Sequence, residues 1–292
     1  MVGVAYSQRF QNLLLFEPMS PSPSPVSVAD YHLHTPLCKH AEGWPEEYAA
    51  VAKKRGLGEI GFSDHNPMPG EFDDWRMEDG EFSRYLELVD KARKAFAGEV
   101  HVRLGLECDF LEGGEDWVTK FSDRAEFDYL IGSVHYLESG WAVDDPNPKW
   151  ELRWQGSVEQ IWTQYWDLYG KCASSGLFDF LAHPDLVKKF GYRPEGDLRR
   201  FYDPVIEVVA ANDLAIEIST AGLRKPCAEM YPSREFLQLA FEADIPIVIS
   251  SDAHRPEEVG ADFGLAIDLA REIGYTQTAR FSKRKRSLVP LD

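Results

Sequence analysis

Seven short apolar or β-branched runs punctuate this chain, at residues 28–34, 59–63, 102–108, 129–134, 178–182, 215–218 and 247–250. Runs of this length and character read as strands. Segments of helical period separate most of them, at 45–55, 80–97, 158–175, 198–212 and 233–243, with 265–273 after the last strand. The third connection, LEGGEDWVTKFSDRAEF, is less regular. Parallel strands need a crossover, and a helix is the usual crossover, so alternation of this kind predicts parallel pairing. The chain is thereby restricted to an α/β architecture, a barrel or an open sheet. No repeat or linker interrupts residues 28–275, and one domain is the economical reading.

The polar residues are not spread evenly over this frame. His32 and His34 end the first strand, with His40 in the loop behind it. His65 ends the second strand (FSDHNP), Glu107 the third (GLECDF), His135 the fourth (GSVHYL) and His183 the fifth (LAHPDL). Asp252 and His254 follow the seventh in ISSDAHRP. Seven of the eight histidines thus fall at the C-terminal ends of predicted strands, the face on which α/β folds build their sites. His101 starts its strand at the opposite end and reads as structural.

One histidine at a strand end is usually a hydrogen-bonding loop residue. Seven at the same end of five strands, with Glu107 at the end of a sixth, are a metal-ligand pattern. Residues i and i+2 of a strand point the same way, so His32 and His34 can serve one ion. Imidazole and carboxylate without thiolate suit zinc, iron or manganese. Cys38 lies among these histidines and reads as a small loop residue rather than a ligand. Nine donors exceed the four to six or so that one ion takes, so two or three ions are expected.

The ordered set H-x-H, a later His in the same loop, D-H, Glu, His, His and D-x-H resembles the polymerase-and-histidinol-phosphatase (PHP) phosphoesterases over roughly residues 28–275. The resemblance implies a distorted (β/α)7 TIM-like barrel with a trinuclear metal site at the C-terminal ends of its strands. By the same likeness His32, His34, Glu107 and Asp252 hold the first divalent ion, Glu107, His135 and His183 the second, and His40, His65 and His254 the third. STAGLRKPCAEMYPS, GSVHYLESGWAVDDP and LAHPDLVKKFG are similar to segments of the histidinol-phosphatase branch.

The implied reaction is hydrolysis of L-histidinol phosphate, with water bridging the first two ions losing its proton and attacking phosphorus in line. Arg224, after the sixth strand, is the first choice for gripping the phosphate, since a guanidinium offers paired donors. Lys188 and Lys189 are candidates for a second cation. Asp252, or a water on the third ion, is a candidate to protonate the leaving alkoxide. Glu112, Asp144 or Asp145 would receive the substrate amine. The competing readings are a PHP enzyme for another small phosphate ester or nucleotide, and a non-catalytic metal-binding module.

A formal charge of −18 argues against general binding to nucleic acid or anionic membranes. No apolar run approaches the length of a bilayer span, and no secretory signal is evident, so a cytoplasmic setting is expected. Four scattered cysteines (Cys38, Cys108, Cys172, Cys227) fit that reduced setting. The Pro/Ser-rich residues 1–27 read as a disordered tail, residues 28–281 as the single barrel domain, and the basic residues 282–292 as a solvated second tail. Oligomeric state has no signature in the sequence.

Overall fold

The computed structural model describes residues 28–70, 72–138, 141–145 and 148–291; the expected tail at 1–27 lies outside the described residues. In chain order the elements are β1 (Asp30–Leu33), α1 (Pro45–Arg55), β2 (Glu59–Phe62), α2 (Phe82–Ala95), β3 (His101–Leu104), β4 (Glu107–Asp109) and α3 (Glu115–Ser122). There follow β5 (Ile131–Ser133), β6 (Tyr136–Glu138), β7 (Trp141–Ala142), α4 (Pro148–Ser174) and β8 (Phe180–Leu181). The chain ends with α5 (Arg199–Ala211), β9 (Ala215–Ser219), α6 (Arg234–Glu242), β10 (Ile247–Ser250), α7 (Phe263–Ile273), β11 (Gln277–Ser282) and β12 (Lys285–Pro290).

Helix α1 shows how locally these elements are specified. Pro45 sits in its first turn beside Glu46 and Glu47, and Lys53, Lys54 and Arg55 occupy its last turn. That order places a residue without an N–H where none is needed, and opposes each end of the helix dipole with the right charge. The period of α4 is equally plain, with Trp162, Tyr165, Trp166 and Tyr169 all buried along one face.

Strands β1-β2-β3 form one parallel sheet and β10-β9-β8-β5-β4 another. Strands β3 and β4 are one predicted strand broken at Gly105 and Leu106. A side chain on Gly61 or Gly105 would collide with the buried Tyr129 ring, which explains glycine at both places. Backbone hydrogen bonds from Asn66 to Glu107 (2.8 Å) and between His34 and Ala253 (3.0 Å) join the two sheets into a ring of seven strands.

Strand β1 carries a bulge, because Asp30 pairs with Ile60 while Leu33 pairs with Phe62. Tyr31 accordingly joins the barrel interior, whereas Leu33 joins the core beneath the helices. The extra residue re-aims the end of the strand, and His32 and His34 both come to face the ring's mouth.

The interior is filled by Ala29, Tyr31, Tyr129, Ile131, Phe180, Ala182, Ala215 and Val248, with Ala279 and Phe281 from β11. This corrects the expected C-terminal tail. Residues 277–290 form an antiparallel hairpin, and its apolar face stops the barrel at the N-terminal ends of the strands. The Lys/Arg run that suggested a tail is the solvent side of that hairpin, where Arg284 pairs with Asp179 and Arg286 with Asp213.

Candidate metal centre

At the opposite mouth, the nine donors picked out by sequence come together. Glu107 is fully buried, and its two oxygens divide the histidines between them. Oε2 lies 3.0 Å from His32 Nε2, 3.0 Å from His65 Nδ1 and 3.5 Å from His34 Nε2. Oε1 lies 3.1 Å from His183 Nε2 and 3.6 Å from His135 Nε2. The Asp252 carboxylate stands 3.4 Å from His34 Nε2 and 3.6 Å from His254 Nδ1. Donor atoms of His32, His34 and Asp252, of His32, Glu107 and His183, and of His40, His65 and His254 each fall within 4.8 Å of one another. Cys38 does as well, beside His34 and His254.

The electrostatics favour bound cations. His32 Nε2, His34 Nε2, His65 Nδ1, Glu107 Oε2 and His254 Nε2 are buried without a hydrogen-bond partner, a costly condition for polar atoms unless something else binds them. Burial disfavours ionised carboxylates, yet the neighbouring rings, His65 and His32 foremost, hold Glu107 well below the usual range. Asp252 behaves alike, with His32 as the main opposing charge. Asp252 and His183 also have positive φ angles (49° and 22°), strained for residues with a side chain and a common mark of functional positions.

Above the cluster opens a cleft of about 560 Å³. Among the described residues it is lined by the carboxylates of Asp74, Glu107, Asp144, Asp145, Asp252 and Glu258, but by only three permanent cations, Lys189, Lys225 and Arg255. Six negative charges against three would repel a phosphate ester. Divalent ions on the orphaned donors reverse that balance, so the donor set fits metal ions in both chemistry and charge.

The structure rearranges the expected substrate contacts. Lys189 lines the cleft. Lys188 does not: it is fully buried, with its ammonium 2.9 Å from Asp185 and 3.1 Å from Glu229. Arg224 is also off the cleft wall, since its guanidinium donates to the Ser251 carbonyl (2.7 Å) and faces Glu258 at 3.6 Å. The adjacent Lys225 takes the position on the wall. Asp144 and Asp145 line the cleft, whereas Glu112 is turned outward to Lys171. His101 opens β3 and is exposed, far from the cluster in the strand.

Sequence reasoning missed a layer of carboxylates behind the ligand rings. Asp109 lies 2.7 Å from His135 Nδ1 and 2.9 Å from Arg76, and Glu217 lies 2.8 Å from His32 Nδ1. The available signal was an acidic residue inside an otherwise apolar strand, as in AIEIS. Trp75 was missed too. It stands edge-on to His65 and His135 (centroids 4.6 and 5.8 Å) and stacks on Tyr136, walling one side of the cleft.

A parallel barrel with imidazole and carboxylate donors gathered at its C-terminal mouth defines a metal-binding hydrolase. Residues 30–221 match the PHP domain, and the chain belongs to that family. It is 42% identical to the probable histidinol-phosphatase of Deinococcus radiodurans, over 89% of this chain and 98% of that one. It is 30% identical to the histidinol-phosphatase of Bacillus subtilis, over 79% and 95% respectively. In fold it is similar to the histidinol phosphate phosphatase of Lactococcus lactis, solved with zinc, L-histidinol and phosphate. The TM-score is 0.72 at 21% identity, covering 89% of this chain and 98% of that one.

Proposed function

We propose that this chain is a histidinol-phosphatase, cleaving L-histidinol phosphate to L-histidinol and phosphate. The observation that carries the reading is the 42% identity spanning 98% of the Deinococcus radiodurans relative. Metal ligands alone do not choose among PHP substrates, whereas likeness over nearly the whole length reaches well beyond the ligand motifs.

His32, His34, Glu107 and Asp252 would hold one divalent ion, Glu107, His135 and His183 a second, and His40, His65 and His254 a third. When bound, such ions acidify water and offset phosphate charge; the zinc reported with the Lactococcus lactis enzyme supports that metal among the candidates. The chain's own groups do the rest. Glu107 supplies one oxygen to each side of the cluster, which fits a carboxylate shared by two ions. Lys189, Lys225 and Arg255 line the route of the phosphoryl group and pair with its oxygens. Asp145 and Asp74, on the same walls, face the cationic end of an amino-alcohol ester. Asp252 stays ionised in this environment and therefore carries no proton to give; its part is to hold its neighbours, and the open cleft lets water protonate the leaving oxygen.

Steady-state kinetics on the metal-replete protein test the assignment, with L-histidinol phosphate beside a generic aryl phosphate. A kcat/KM for histidinol phosphate that is orders of magnitude higher is expected. Equal values would sink the substrate assignment and leave a general phosphomonoesterase.

A further inference from the structure

Glu217 occupies the middle of β9, fully buried, and faces into the ring rather than outward to the helices. Its two carboxylate oxygens have different partners. Oε1 lies 2.8 Å from His32 Nδ1, on a strand beyond β10. Oε2 accepts the backbone N–H of His183 at 2.7 Å, from the segment that follows the neighbouring β8. Both partners belong to the cluster around Glu107: the far nitrogen of His32 lies 3.0 Å from one Glu107 oxygen, and His183 lies 3.1 Å from the other.

A neutral imidazole carries one N–H, and a ring nitrogen that binds a metal must present its lone pair. A carboxylate at Nδ1 holds the proton there and leaves Nε2 bare. His32 Nε2 is just such a buried atom without a hydrogen-bond partner, aimed at Glu107 and Asp252. The second oxygen acts on backbone instead of ring. His183 holds a φ of 22°, which L-residues rarely adopt, and a charge-assisted hydrogen bond to its own N–H keeps it there.

We propose that Glu217 is a positioning residue of the metal centre, committing His32 to the Nδ1–H tautomer with one oxygen and fixing the backbone of His183 with the other. One side chain thereby sets the donors from two separate strands. The proposal rests on the metal-centre reading above. It concerns a residue that contacts neither substrate nor reacting atoms.

Glu217→Gln tests it with little change of volume. A glutamine oxygen can accept from only one of the two N–H donors, and its own NH2 then meets the other. On the full chain loaded with zinc, the variant should release zinc to a competing chelator about 10- to 100-fold faster than the wild type. Nitrogen-15 spectra of the zinc-loaded wild type should show His32 protonated at Nδ1, and that resonance should shift or vanish in the variant. Wild-type release rates in Glu217→Gln, with the His32 resonance unmoved, overturn the proposal while leaving the metal reading intact. A wild type that takes up no zinc overturns both. Should Glu217→Gln fail to fold, the wild-type spectrum decides alone, since a zinc-loaded His32 protonated at Nε2 contradicts the assignment.

Discussion

The ammonium of Lys189 lies 3.1 Å from the carboxylate of Asp144 and 2.8 Å from its backbone carbonyl, so the lysine is tethered at the wall of the cleft. Although burial opposes it, the Lys189 charge draws the Asp144 carboxyl down to about 2. A phosphoryl group arriving between them finds a cation already in place.

Two consecutive lysines should therefore behave in opposite ways. Lys189→Ala should lower kcat/KM about 10- to 100-fold, the loss of one charged hydrogen bond of roughly 1.5–3 kcal/mol, with little change in melting temperature. Lys188→Ala should instead lower stability by about 3 kcal/mol, because it strips the fully buried Asp185 of its cation. Urea unfolding alongside kinetics separates the two. Equal kinetic damage from both would contradict the placement of Lys188.

Removing His65 or Asp252 should cost metal and phosphatase activity together. Elemental analysis of His65→Ala and Asp252→Asn should find fewer ions per chain than in the wild type, and turnover should fall by more than the roughly 10- to 100-fold that loss of a ligand's outer partner costs. Activity that survived in metal-depleted variants would rule out the hydrolytic scheme.

Metal uptake should depend on pH through His135. Burial would lower its pKa, but the charge and hydrogen bond of Asp109 overcome this and push it up to about 9. The metal-free ring is then protonated at neutral pH and must lose that proton to bind. Apparent zinc affinity should rise about tenfold per pH unit for this proton, up to pH 9 or so. In Asp109→Asn the raised pKa is lost, and His135 stops contributing to that slope above the ordinary histidine range near 6.5. Competition titrations at several pH values would show it; parallel slopes in the two proteins would argue against the pairing.

The C-terminal hairpin should be essential to the fold. Phe281 is 2% exposed and packs against Tyr31, Tyr129 and Phe180 inside the ring. Phe281→Ala should cost about 3–5 kcal/mol by thermal or urea denaturation. A much smaller loss would mean that residues 277–290 are dispensable after all.

Much of this was legible in local pattern. The α1 boundaries, the strand positions and the nine donors at strand ends follow from side-chain period and from motifs a few residues long, because neighbours in sequence impose them. Other features depend on residues far apart in sequence. Residues 282–292 looked like a charged tail because the Lys/Arg run there carries no sign of its antiparallel pairing with Gln277–Ser282, whose Ala279 and Phe281 enter the barrel interior. Lys188 and Arg224 looked available to a phosphate, yet Glu229 and the Ser251 carbonyl had already engaged them. Glu217 was marked only as an acidic residue inside an apolar strand, and its role stayed hidden because its partners lie 185 and 34 residues away. The sequence by itself determined the alternating frame and which residues bear the chemistry. Only the tertiary structure decided which charges face the cleft and which are consumed within the protein, because that choice depends on distances between strands that closure of the barrel sets.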